Sequence, residues 1–333
     1  MAVQRDTDIR TYPCPSCYLC GVQGQFLHQG LKDRLFGAPG EWNLKRCQNP
    51  ECGLVWLDPM PSEEDIGKAY AAYYTHQENS ANEQGNGLMV FLRLNLKRSF
   101  NLLLRATMLH RERKQRELMY LDEMPAGRLL EVGCGDGRLL VQMRARGWEV
   151  EGQEVDPKAA AHARSAHGVT VHLGTLENTS FPNDSFDAVI MNHVIEHVHD
   201  PVALLAECYR ILKPGGLLVV VTPNVESYGH KRFGACWRGL EPPRHLHLFS
   251  VGALMVCAKK AGFRSAETWT TSVNAVSIYL ASRDIQVSGK HKNGFMHQSL
   301  ARLAQAAVFK LKEFFLNRWW SGIGEELVLK AVK

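Results

Sequence analysis

From Arg128 onward, short apolar runs alternate with amphipathic stretches. Leu129–Val132, Glu149–Gln153, Val169–Leu173, Ala188–Asn192 and Leu217–Thr222 have the brevity and apolar content of strands. Helical patterns such as Arg138–Arg146 and Val202–Leu212 lie between most of them. The alternation predicts an α/β fold, a parallel sheet with covering helices. Upstream, Leu88–Tyr120 is rich in Leu and Arg and contains no Gly or Pro, which predicts a helix or helix pair. A helix is also expected to start at Pro61-Ser62-Glu63-Glu64, where Ser62 can cap and the acids suit a helix N-terminus. Glu78–Gly87 is polar without apolar period and reads as a linker. The pattern thus divides into a Cys-rich module over 10–61, a helical linker region over 62–122 and the α/β domain over 123–333. Within the last, 286–322 is expected to form a helical insertion.

Composition changes this picture little. Hydrophobic residues make up 45% and charged residues 22%, as in globular proteins, and the net charge of +5 is mild for a dedicated nucleic-acid binder. Met-Ala-Val-Gln-Arg-Asp has no apolar signal core, and no run reaches the ~18 apolar residues of a membrane span. A cytoplasmic location is the expectation.

Five of the nine cysteines (Cys14, Cys17, Cys20, Cys47 and Cys52) fall in the first 52 residues. Cys17-Tyr-Leu-Cys20-Gly21 and Cys47-Gln-Asn-Pro-Glu-Cys52-Gly53 have the form of two zinc knuckles, each followed by a glycine for the tight turn. Four thiolates close a tetrahedral site, so the zinc would be structural. Cys14 is surplus and either substitutes for Cys17 or stays free.

The turn Glu131-Val-Gly133-Cys-Gly135-Asp-Gly137 joins a strand to a helix. Such turns let a ligand lie against backbone that side chains would otherwise cover. The dinucleotide form G-x-G-x-x-G needs glycine where this chain has Arg138. Glu154, 21 residues after Gly133, ends the next strand, where a carboxylate can take a ribose diol. Asp156 before Pro157 is better placed to open the following helix.

LLEVGCGDGRLL, GQEVDP, FPNDSFDAVIMNHVIEHVHDP and RILKPGGLLVVVTPN resemble, in order and spacing, the successive motifs of class I S-adenosylmethionine-dependent methyltransferases. The resemblance implies a Rossmann-like, seven-stranded, mostly parallel sheet whose final strand returns antiparallel. It also implies an S-adenosylmethionine site in which Thr175 and Leu176 flank the adenine. His193-Val-Ile-Glu196-His197 matches the zinc-peptidase pattern H-x-x-E-H, but it sits where a strand runs into the cofactor-facing loop. Relatives with Glu-His at this point hold no metal there, so Asn192 and His193 are expected to border the sulfonium and the acceptor.

CYLCG and CQNPECGLVWLDPMPSEEDIGKAY resemble the zinc-binding N-terminal module of certain bacterial methyltransferases that act on sugars. There the module and the Tyr-rich segment after it help close the active site, which makes Tyr73 or Tyr74 a substrate-side candidate. Glu241-Pro-Pro-Arg244-His245-Leu-His247-Leu-Phe-Ser250 resembles the segment that sugar C-methyltransferases place over the acceptor. His245 keeps their histidine, whereas Arg244 replaces their glutamate. That favours O-methylation with His245 as general base, and Arg244 is expected either to bind an acidic or phosphorylated acceptor or to pair with Glu241 or lie at the surface. The expected acceptor is a small molecule: a sugar, a lipid-linked glycan or a quinone-like ring, since 188–224 also resembles ubiquinone-pathway O-methyltransferases. RNA methylation, sugar C-methylation and a non-enzymatic binding module are the alternatives. Met191-Asn-His-Val194 lacks the Asn/Asp-Pro-Pro-aromatic signature of amino-methylating nucleic-acid enzymes.

Two stretches, Leu88–Leu118 and Ala301–Trp320, combine apolar and aromatic residues with Arg and Lys. They are expected to pack on the domain or to contact a membrane surface peripherally.

Overall fold

The computed structural model describes residues 9–71, 108–291 and 298–333. The chain divides into two compact units, residues 1–73 with 126–333, and residues 74–125. The N-terminal strands are β1 (Thr11–Tyr12), β2 (Gly24–Leu31), β3 (Trp42–Cys47), β4 (Val55–Leu57) and β5 (Met60–Pro61). In the smaller unit, α1 (Met108–Glu117) carries an Arg113–Glu117 ion pair one turn apart at 2.8 Å. Residues 88–107 of the stretch expected to be helical lie outside the described residues, and residues 118–120 at its end form a turn, with Met119 and Tyr120 at positive φ.

The remaining elements follow in order. They are β6 (Arg128–Val132), α2 (Arg138–Arg144), β7 (Glu149–Glu154), α3 (Pro157–His167), β8 (Thr170–Leu173), β9 (Phe186–Asn192), α4 (Pro201–Ile211) and β10 (Leu212–Pro223). Then come α5 (Tyr228–Phe233), β11 (His247–Leu248), α6 (Val251–Lys260), β12 (Ser265–Thr271), α7 (Ala275–Ser288), α8 (Leu300–Trp319) and β13 (Glu326–Val332). Seven strands form one sheet in the order β12-β13-β10-β9-β6-β7-β8. β8, β7, β6, β9 and β10 run parallel, while β13 runs antiparallel to both β10 and β12. This is the Rossmann-like sheet that the motif order implies, with the last strand reversed as expected.

Local chemistry explains the helix starts. Asp156 accepts from the Lys158 and Ala159 amides ahead of Pro157, and Asp200 accepts from Ala203 ahead of Pro201. Ser250 and Ser299 cap α6 and α8 in the same way. β9 and β10 are buried over most of their length, as befits central strands covered on both faces.

Two elements differ from the sequence reading. No α-helix starts at Ser62; a single 3-10 turn covers Ile66–Tyr70. Asp65 stands before it, but its carboxylate accepts from the Arg10 backbone amide and Nε through Oδ2 and from Arg10 Nη2 through Oδ1, and caps nothing. The second is β12, an edge strand of alternating exposure (Ser-Ala-Glu-Thr-Trp-Thr-Thr) that lacks an apolar run.

The Cys-rich segment does not end its sheet by itself. β2, β3 and β4 pair antiparallel, and β11 from far down the chain completes the order β11-β4-β3-β2. Leu44, Leu54, Trp56 and Leu57 from this sheet share one core with Leu246, Leu248, Phe249 and Leu254.

Candidate active site

The candidate cofactor residues gather at the carboxyl ends of the parallel strands, where open α/β sheets bind ligands. Gly133 and Gly135 both hold left-handed backbone, at φ +66° and +53°. A Cβ on Gly133 would fall 2.5 Å from Val194 Cγ2, whereas one on Gly135 would meet nothing within 4 Å. Gly133 is therefore fixed by packing, and Gly135 opens onto free space. Gly137, at φ +79°, is the N-cap of α2 and supplies no side-chain cap.

Glu131 is buried beneath this turn, and its Oε2 has no hydrogen-bond partner among the described residues. Burial, with Asp136 and Glu154 nearby, pushes its carboxyl well above the usual range. Such an orphaned acceptor fits a bound donor group. Glu154, at the tip of β7, accepts from Gly135 N at 2.8 Å, Val155 N at 2.8 Å and Asp156 N at 2.9 Å. Its carboxylate is thus aimed at the glycine turn. Thr175 is exposed at the start of a 3-10 turn, and Leu176 behind it is 1% exposed, in the core. Asn192 ends β9, half-buried.

His193 is held at φ +58°, uncommon for a residue other than glycine. Its Nδ1 lies 3.0 Å from Glu196 Oε1 and its Nε2 lies 2.8 Å from Glu326 Oε1. Thr222 Oγ1 donates to Glu196 Oε2 at 2.9 Å, and Asn274 Nδ2 donates to Glu326 Oε1 at 2.7 Å. Burial disfavours the imidazolium, but the hydrogen bonds and charges of the two acids prevail and raise His193 to about 9. Burial also opposes ionisation of Glu196, and His193 overrides it, bringing the acid down to about 2. The zinc-peptidase pattern does not assemble: residues 195–197 form a 3-10 turn, and His193 faces two acids while His197 groups with Glu196 and His245.

The sign of the pH effect follows. The His193 contribution to stability is complete below its ordinary value of ~6.5 and fades as pH rises through about 9. That of Glu196 is complete above ~4.5 and fades as pH falls through about 2. The urea midpoint of the native chain should therefore fall between pH 7 and pH 9.5 by more than that of His193→Gln. Equal falls in the two proteins would contradict the assignment.

His245 is 4% exposed. Its Nδ1 is 2.8 Å from the Gly239 carbonyl, so the proton sits on Nδ1 and the lone pair on Nε2. Burial lowers its pKa to about 4. Nε2 is 3.8 Å from Glu241 Oε2, and the ring lies edge-on to His197 at 4.7 Å between centroids. Leu246 N donates to the Glu196 carbonyl at 2.8 Å, tying this segment to the His193 turn.

Arg244 is not available to an acidic acceptor; of the roles expected for it, the salt bridge to Glu241 is the one observed. It is fully buried, its fork is bidentate on Asp33 at 2.9 Å for each bond, and its Nε donates to Glu241 Oε1 at 2.9 Å. It fastens the loop after β2 to the Glu241 segment. Tyr73 and Tyr74 lie outside the described residues, whereas Tyr70, three residues upstream, reaches His197 Nδ1 at 2.9 Å.

Cys17, Cys20, Cys47 and Cys52 converge, with all four Sγ atoms within 4.8 Å of one another. The Cys17–Cys52 and Cys20–Cys47 sulfurs stand 3.7 and 3.3 Å apart, close to the ~3.8 Å that four sulfurs keep around tetrahedral zinc. Gly21 and Gly53 take left-handed backbone and donate to the Cys17 and Asn49 carbonyls, forming the turns expected of knuckles. Cys14 lies outside the group.

Sequence reading gave Glu326 and Glu196 no role beside His193 and placed Glu241 only as a salt-bridge partner of Arg244. The first was legible in principle: an antiparallel last strand begins at the carboxyl edge of its parallel neighbours, and Glu326 is its first residue.

The profile of a methyltransferase domain family matches residues 101–268. A ubiquinone biosynthesis O-methyltransferase of Cereibacter sphaeroides is 34% identical over 175 residues, 48% of this chain and 70% of that protein. One from Parvibaculum lavamentivorans is 28% identical over 173 residues, 48% of this chain and 68% of its own. Among solved structures, a SAM-dependent methyltransferase of Thermotoga maritima is 27% identical, covering 71% of this chain and 97% of its own with a TM-score of 0.45.

Proposed function

The chain belongs to the methyltransferase domain family as an S-adenosylmethionine-dependent methyltransferase, and we propose that it methylates a hydroxyl oxygen of a small-molecule acceptor. Bound S-adenosylmethionine supplies a methyl group on a cationic sulfur, so the hydroxyl must lose its proton as the methyl arrives. The cofactor would be held by Gly133, Gly135 and Gly137, with Glu154 on the ribose diol and Thr175 and Leu176 beside the adenine. The orphaned Glu131 Oε2 would take a donor from the cofactor.

The base is assigned to His245. The observation that carries this assignment is its fixed tautomer: Nδ1 is anchored on the Gly239 carbonyl, and Nε2 keeps its lone pair at neutral pH. Glu241 beside Nε2 would stabilise the imidazolium that forms. His193 is the poorer base, since both its nitrogens are engaged and it is protonated at neutral pH. With Asn192 it would instead line the reacting corner, where two carboxylates against one imidazolium give the sign that suits a sulfonium. One zinc on Cys17, Cys20, Cys47 and Cys52 would hold the N-terminal sheet against this segment.

Sugar C-methylation is the second reading, favoured by the Glu241–His245 contact at 3.8 Å, which supplies the acid–histidine pair that Arg244 removes from the motif. Catechol and sugar acceptors, incubated with methyl-labelled S-adenosylmethionine, separate the two. The carbon resonance of the product should be that of an O-methyl group; a C-methyl product would overturn O-methylation.

A further inference from the structure

The outer face of α8 carries an apolar stripe that is exposed among the described residues. Val308 is 65% exposed, Leu311 38%, Phe315 56% and Trp319 80%. With exposed Ala304, these residues follow one another by four, three, four and four positions. At 3.6 residues per turn they occupy an arc of about 80°. Arg318 falls along one edge of the arc and Lys312 along the other, both exposed. Ala306, Phe309 and Glu313 point the opposite way, into the protein. Glu313 is the only acidic residue of the helix and is fully buried, so the outer face presents apolar groups and cations without a carboxylate. Trp320, 66% exposed, extends the aromatic end.

We propose that α8 docks this protein on an anionic lipid surface, lying in the plane of the interface. The stripe enters the headgroup–acyl boundary, Lys312 and Arg318 meet anionic headgroups on its two sides, and the indoles of Trp319 and Trp320 sit where apolar and wet regions meet. Charge complementarity selects lipid over a second copy of the chain, because a self-contact along this stripe would bring together like charges with no acid between them. No helix among the described residues is long and apolar enough to cross a membrane, which accords with a helix that lies on the surface.

The test is sedimentation of the full chain, at low salt, with vesicles of phosphatidylcholine alone and of phosphatidylcholine mixed with phosphatidylglycerol. The protein should bind the mixed vesicles and not the neutral ones. Phe315→Ser with Trp319→Ser should weaken binding by at least about tenfold. Lys312→Glu with Arg318→Glu should abolish the preference for anionic vesicles. Equal, weak sedimentation with both vesicle types overturns the proposal. So does a native dimer that Phe315→Ser with Trp319→Ser dissolves without any vesicle binding, which would assign the stripe to a second copy.

Discussion

Replacing Cys47 with serine is expected to empty the thiolate cluster of metal and to collapse both stability and turnover. Native protein should carry about one zinc per chain by elemental analysis, and the variant close to none. Hydrogen bonding to Cys52 and burial push the Cys17 thiol far up, and burial with its sulfur neighbours takes Cys47 up to about 11. A bound cation draws off thiol protons and ties the loop before β2 to the end of β3. Cys17, Cys47 and Cys52 belong to the same core as Leu246 and Leu248, so loss of the ion loosens the segment that carries His245. The thermal midpoint should fall by on the order of 10 °C, each kcal/mol being worth ~2–4 °C in a domain of this size. Cys14→Ser should leave metal content unchanged, since Cys14 stands outside the group. Native protein stripped by a chelator that unfolds at an unchanged temperature would refute the structural role.

The second large effect is expected of His245→Ala. Turnover should drop by ~10²–10⁴-fold, the usual worth of a positioned base, while S-adenosylmethionine still binds with native affinity by calorimetry. The pH profile gives a finer test. Burial brings His245 to about 4, so the acidic limb of kcat in the native enzyme should fall near that value and not near 6.5. An active His245→Ala variant would move the base elsewhere. A variant that also loses the cofactor would mark His245 as a structural residue of the pocket.

The parallel half of the sheet was readable because short strand-like runs alternate with helical stretches along it. The Asp156-Pro157 and Asp200-Pro201 pairs mark two helix starts directly. The glycine turn and Glu154 were readable for the same reason: their chemistry is local. The four thiols were readable from spacing within two loops, although only the pairing of β2, β3 and β4 brings those loops together. For Arg244 the pair with Glu241 was legible, but nothing near it in sequence announces Asp33, its partner 211 residues away. Glu326 was missed for a similar reason, since it becomes a counter-ion for His193 only when the last strand closes the sheet. Glu196, three residues from His193, was read only as part of the zinc-peptidase pattern. β12 was invisible because an edge strand exposed on one face needs no apolar run.

The two-residue strand β11 has a consequence for how the chain is made. His247 pairs with Trp56, 191 positions earlier, so a chain emerging from the ribosome displays β4 with a bare edge until most of the protein has been synthesised. Throughout that interval the nascent N-terminal sheet offers an unpaired template to any other extended segment. Contacts of such long range close late. The protein is therefore most open to misassembly not at its reactive cleft but along Val55, Trp56 and Leu57, while their partner is still untranslated.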